Sequence, residues 1–265
     1  MANKIVAPAP LPIIETHFHL DYLKDSTAEE ILQRAKLNNV QRFITIAVHP
    51  DNLSVVRDLS SRFPEVYFTQ GIHPHDAKLV TPEVLNEIRK SKTYDRCVAV
   101  GEIGLDYHYD NSPRDIQCQA FKDQLLIACD LDLPVVIHTR EAEDDTLEIL
   151  NSITPMLHKR GVLHSFTSKP ELARWAVSQG YFLGFNGIIT FKTANEVRDV
   201  VAETPLTNIL LETDAPFLTP HPHRGVENSP YYLPLIAQKI AEIKNITVEE
   251  VLTTCFENSE RLFFS

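Results

Sequence analysis

Ile13-Ile14-Glu15-Thr16-His17-Phe18-His19 is the stretch on which the fold turns. It opens on β-branched residues, as a strand does, and runs into two histidines with no glycine. A doubly wound open sheet usually carries a glycine-rich loop after its first strand, so this stretch favours a barrel. Seven further apolar or β-branched runs follow, at residues 42–48, 66–73, 97–104, 134–139, 161–166, 181–186 and 208–214. Helical patterns lie between them, at 27–38 with Ser26 or Thr27 as N-cap, at 82–90 with Pro82 near the start, and at 117–132. Alternation of this kind implies parallel strands joined by right-handed crossovers, and eight such units in about 250 residues is the size of a (β/α)8 TIM barrel. No linker interrupts it. We expect a short N-terminal arm over residues 1–11 and a single domain over 12–265, with the Pro- and His-rich stretch 216–234 lying over the face that follows strand eight.

Composition narrows the function. The 265 residues are 43% hydrophobic, enough to bury a core without disulfides. Cys97, Cys118, Cys129 and Cys255 show no C-x-x-C spacing and read as buried thiols in a reducing compartment. Twenty-five basic against 36 acidic residues leave a formal charge of −11, which excludes a broad basic surface that grips a polyanion by charge alone. The N-terminus lacks the apolar core of a leader, and no stretch approaches the roughly 18 apolar residues of a membrane span. The expectation is a soluble, cytoplasmic protein with no membrane association and no obligate protein partner.

In a barrel the C-terminal strand ends converge on one face, so polar residues there are the candidates for chemistry. Period two along the first strand points His17 and His19 the same way and Phe18 outward. Glu102, His138, His164 and Asp214 sit at the ends of strands four, five, six and eight. A buried unpaired carboxylate or imidazole after an aliphatic run costs several kcal/mol, which a metal ion would remove. Four imidazoles and two carboxylates suffice for two divalent ions, with Glu102 the expected bridge. Ions roughly 3.5–4 Å apart can activate a water and stabilise both oxygens of a displacement at phosphorus. The same ions can polarise a carbonyl, so these ligands leave phosphoester and amide or ester substrates both open. Asp214 is expected to double as general base. His73 is placed either to touch a substrate oxygen or to cap a turn. Arg140 and Arg224 are the expected phosphate clamps, because a guanidinium matches two phosphate oxygens, and Lys192 is a weaker one. Glu212 is placed either to support a ligand or to pair with a base residue. His221 and His223 are left out of the metal shell, and His49, His108 and His158 are read as ordinary.

His17-x-His19-Leu20-Asp21, Gly71-Ile72-His73-Pro74-His75, Val100-Gly101-Glu102-Ile103-Gly104-Leu105-Asp106-Tyr107, Pro134-Val135-Val136-Ile137-His138-Thr139-Arg140, His164-Ser165-Phe166 and Leu210-Leu211-Glu212-Thr213-Asp214-Ala215-Pro216 together make a specific pattern. On these motifs the chain resembles the TatD-type metal-dependent deoxyribonucleases of the amidohydrolase superfamily. The resemblance implies a TIM barrel, the same six ligands, and DNA hydrolysis with Mg²⁺ or another divalent ion, often 3′ to 5′ on single strands. Donor softness alone suits Zn²⁺ or Mn²⁺. Glu15 stands where that family commonly has Asp, Ser168 replaces a frequent Gly, and Ser229 replaces a usual acidic residue. Superfamily members that cleave amides or esters often have a carboxylated lysine at strand four, where this chain has Glu102. That favours the nuclease branch over the alternative, an ester or amide hydrolase such as an aminoacyl-tRNA deacylase.

Overall fold

The computed structural model describes residues 5–265. Eight parallel strands lie in sequence order in one sheet: β1 (Ile13–Phe18), β2 (Val40–Thr45), β3 (Val66–Gln70), β4 (Cys97–Asp106), β5 (Val135–Arg140), β6 (Gly161–Leu163), β7 (Phe182–Phe185) and β8 (Ile209–Leu211). Helices alternate with them: α1 (Ala28–Leu37), α2 (Leu53–Arg62), α3 (Pro82–Arg89), α4 (Arg114–Leu131), α5 (Glu143–Ile153), α6 (Pro170–Ser178), α7 (Asn195–Glu203) and α8 (Leu233–Lys244), with α9 (Val248–Phe263) added at the end. This is the expected (β/α)8 barrel.

Local chemistry starts the helices. Thr27 caps α1 in a capping box with Glu30, and Thr81 caps α3 with Pro82 in its first turn. Asp132 ends α4 in the left-handed conformation, φ 54°. Helix and sheet bury Phe18, Phe43, Phe68, Phe121 and Phe185 between them. Inside the sheet, Ile44, Val98, Val136, Val162, Phe182 and Leu210 fill the barrel, and Leu262 and Phe263 of α9 pack against this group. The interior is therefore a solid apolar plug that leaves only the C-terminal strand ends for polar residues.

The strand boundaries differ from expectation at β6 and β8, which are three residues each. The last strand stops because side chains take over its backbone partners. Thr213 N–H donates to the Glu15 carboxylate at 2.9 Å rather than to a neighbouring strand. Among the described residues no regular ladder joins β8 to β1. The seam closes instead through Asp214 N–H to His17 O (2.9 Å), His19 N–H to Ala215 O (2.8 Å) and Thr16 Oγ1 to Leu211 O (2.9 Å).

Residues 1–4 of the expected arm lie outside the described residues. In the remainder Val6 and Ala9 are buried, Val6 N–H donates to the Tyr231 hydroxyl, and Asn39 Nδ2 donates to Ala9 O. None of the four cysteines is disulfide-bonded, and burial pushes the Cys97 thiol up to about 12. Among the described residues no helix is long and apolar enough to cross a membrane.

Candidate metal centre

The six expected ligands converge at the mouth of the barrel. Glu102 is their centre. Its Oε2 lies 3.4 Å from His17 Nε2 and 4.0 Å from His19 Nε2, while its Oε1 lies 2.7 Å from His164 Nε2 and 3.1 Å from His138 Nδ1. Asp214 Oδ1 completes one side, 3.8 Å from His17 Nε2 and 3.6 Å from His19 Nε2. Three donor sets result among the described residues, His17–His19–Asp214, His17–Glu102–His164 and His73–Glu102–His138, each within a span of 4.8 Å.

Asp214 arrives there by a route that strand periodicity does not describe. It lies three residues past the end of β8, in the left-handed region at φ 56°, where Phe217 N–H donates to its carbonyl at 2.9 Å. The turn, not the strand, aims its carboxylate.

The donors fit a divalent cation. Both nitrogens of His17 and Nδ1 of His164 are buried without a hydrogen-bond partner, and the two rings stack at 3.8 Å. Burying polar atoms so costs several kcal/mol unless something binds them. Burial and the neighbouring His164 charge hold His17 down to about 4, so its ring is neutral and keeps a lone pair. Burial would lift Glu102, but its electrostatic interactions with the His164 and His73 imidazoles and the hydrogen bonds from His138 and His164 outweigh it and keep it ionised. Asp214 likewise stays below its usual value against burial, through the hydrogen bond from His19 and its electrostatic interactions with the His17, His164 and His19 imidazoles.

Outer partners orient the rings. His19 Nδ1 faces the carbonyl of Ile46 at 3.4 Å, leaving Nε2 as the donor atom. His138 Nε2–H donates to Asp106 Oδ2 at 3.1 Å, which turns Nδ1 inward. Although burial opposes it, the carboxylates of Asp106 and Glu102 raise His138 to about 9. A metal at Nδ1 would displace that proton. Asp106 also takes His75 Nε2 on Oδ2 and the N–H groups of His108 and Tyr109 on Oδ1. Sequence reasoning quoted Asp106 in the strand-four motif but gave it no role. The available signal was its spacing, four residues beyond Glu102 on the same strand and so on the same face.

Two further buried carboxyls support the centre. Glu212 Oε1 accepts from Ser165 N–H (2.6 Å) and Asn186 Nδ2 (3.3 Å) and lies 3.9 Å from His164 Nδ1, the supporting one of the two places foreseen for it. It fits because Gly184 has no side chain: a Cβ there would stand 2.2 Å from Glu212 Oε2. Glu15 Oε1 accepts from the N–H groups of His17 and Thr213, tying the first ligand strand to the last. Burial outweighs these bonds and pushes Glu15 up to about 8; burial and the Asp214 charge push Glu212 well above its usual value.

Of the two roles foreseen for His73, the turn cap is present, and its other nitrogen faces the centre. Its Nδ1 accepts from His75 N–H at 3.2 Å, capping the turn, while Nε2 faces Glu102 Oε1 at 3.4 Å. With Nδ1 used as an acceptor, the neutral ring carries its proton on Nε2, so His73 meets the site as an N–H donor and not as a third lone-pair ligand beside Glu102 and His138. Burial holds it at about 4, consistent with the neutral form.

The centre opens into a cavity of ≈ 720 Å³, and among the described residues Arg140 is the one Lys or Arg in its lining. Arg224 stands outside that lining, its guanidinium 3.9 Å from the Phe191 ring centroid and donating to Thr219 O. It pins the loop that follows β8. Lys192, His221 and His223 also lie outside the lining. His49 accepts from Asp51 N–H and His108 Nδ1 lies 2.6 Å from Glu141.

A family model described as "TatD related DNase" matches residues 14–264. The chain belongs to the TatD family. The TatD relative YabD of Bacillus subtilis, named an uncharacterized metal-dependent hydrolase, is 38% identical over 252 residues, covering 95% of this chain and 98% of YabD. YcfH of Escherichia coli K12, named likewise, is 34% identical over 255 residues and 95% of each chain. The crystal structure of the TatD homologue YjjV from E. coli K12 superposes with a TM-score of 0.90 at 31% identity, covering 96% of this chain and 98% of that one.

Proposed function

We propose that this metal-dependent hydrolase of the TatD family cleaves phosphodiester bonds at the ends of single-stranded DNA, working 3′ to 5′. His17, His19, Glu102, His138, His164 and Asp214 would hold two divalent ions, Mg²⁺, Mn²⁺ or Zn²⁺. The observation that carries the reading is Glu102, whose two oxygens face the His17–His19 pair on one side and His138 with His164 on the other. When bound, two such ions would lower the pKa of a water and stabilise charge on the attacking and leaving oxygens.

The chain's own residues supply the rest. Asp214, ionised and beside His17 and His19, takes the proton of the attacking water. His73 Nε2–H donates to a non-bridging phosphate oxygen. Arg140 at the rim matches two oxygens of a phosphate. A cavity of ≈ 720 Å³ is the size of a small-ligand pocket and is closed below by the apolar plug, which suits a chain end better than a duplex passing through. The family description as DNases points the same way.

The test is nucleotide release from end-labelled single-stranded DNA in Mg²⁺, Mn²⁺, Zn²⁺ or chelator, comparing wild type with Asp214→Asn and Glu102→Gln. We expect metal-dependent release with a one-nucleotide ladder from the 3′ end, reduced at least about 100-fold in both variants, the scale of a lost general base. Turnover of aryl or acyl esters with no release from DNA would instead establish an ester hydrolase.

A further inference from the structure

Phe217 and Tyr109 are the only exposed Phe, Tyr or Trp side chains among the described residues, at 52% and 55% exposure, and both line the cavity above the metal centre. A cavity that needs only imidazoles and carboxylates for its chemistry has no use for aromatic surface turned to water. Tyr109 stands three residues past the end of β4, Phe217 six past the end of β8. These strands are four places apart in a ring of eight, so the two rings rise from opposite sides of the mouth. Phe217 meets the His19 ring in a T-shaped contact at 6.2 Å and is otherwise half exposed to solvent. Tyr109 is braced by His75 and His108, edge-on at 5.3 and 4.8 Å, and the Arg140 guanidinium lies 4.9 Å from its centroid.

We infer that Phe217 and Tyr109 form a subsite on which unpaired nucleobases flanking the scissile phosphate stack, irrespective of base identity. The inference rests on the phosphodiester reading above and names what that site accepts. A base in a duplex has both faces covered by its neighbours and cannot offer one to Phe217; an unpaired end can. Every base has a π-face, so recognition by stacking tolerates any sequence. Arg140 beside Tyr109 supplies the charge for the phosphate that accompanies the base.

The experiment is stopped-flow mixing of the full chain with Mn²⁺ and single-stranded oligonucleotides carrying 2-aminopurine at the 3′ or the 5′ terminus. Stacking quenches the probe, and release of the nucleotide restores its fluorescence, so binding and cleavage are read separately. Phe217→Leu and Tyr109→Leu keep apolar volume without an aromatic face, and Phe217→Trp keeps the face. We expect each leucine variant to raise the half-saturation of quenching about 5- to 150-fold, the range that loss of one base–aromatic stack produces, with Phe217→Trp close to wild type. Equal quenching in wild type and both leucine variants, or none in wild type, would overturn the subsite. Phe217-dependent quenching without release would keep the subsite and remove the cleavage reading. Release that ignores both substitutions would do the reverse.

Discussion

Asp106 shows what one carboxylate does without touching the reacting atoms. By accepting from His138 Nε2–H it fixes the ring so that Nδ1 faces Glu102 and His164. Asp106→Asn keeps the size but loses the charge, and we expect a 10- to 100-fold weaker metal affinity, the usual cost of removing an outer partner of a ligating histidine, measured by chelator competition. Affinity unchanged from wild type would show that packing alone holds the ring. The six candidate ligands were legible in sequence because His17, His19, His138 and His164 lie within two residues of a strand end and Glu102 lies inside an otherwise apolar strand, and buried charge there has no bland explanation when six such residues coincide. Asp106 was not legible in role, since its function depends on which nitrogen of His138 faces inward. The contacts of Arg224 were not legible either: a guanidinium matches a phosphate in sequence, and here it lies against Phe191 and the Thr219 carbonyl.

At the scale of elements, the segment after β8 decides the outline of the mouth. Asn228, fully buried, donates from Nδ2 to the carbonyls of Thr213 and Phe217, Thr219 Oγ1 donates to Val226 O, and Glu227 accepts from the N–H groups of Lys24 and Asp25. The loop also sits directly on Gly187, where a Cβ would stand 1.9 Å from Leu218 O. Gly187→Ala must therefore lift the loop that carries Phe217. The expected outcome is at least a tenfold fall in kcat/KM on single-stranded DNA and new proteolytic cleavage within 216–229, with the circular dichroism of the barrel retained. A variant with full activity and a protected loop would show that the loop is not part of the site. The existence and order of the strands were legible from apolar runs, whereas the ends of β6 and β8 were not. There Ser165 and Thr213 give their N–H groups to Glu212 and Glu15, and nothing local in sequence marks that exchange.

The whole molecule carries a formal charge of −11, and its cavity offers one arginine. The proposed polyanionic substrate would then be held by few phosphate contacts, and log(kcat/KM) on single-stranded DNA should fall with log[salt] at a slope of about −1, since each contact contributes roughly −0.7. A slope steeper than about −4 would reveal an extended phosphate track elsewhere on the surface. The sequence by itself determined the barrel, because alternation of apolar strands with amphipathic helices admits few topologies, and it marked the candidate metal ligands, because the barrel brings all C-terminal strand ends to one face. Only the tertiary structure decided which groups aim those ligands and which side chains reach the cavity. Ring orientation, the left-handed turn at Asp214, the side-chain closure of the β8–β1 seam and the opposed exposure of Tyr109 and Phe217 all depend on contacts between residues distant in the chain, and no local period encodes such contacts.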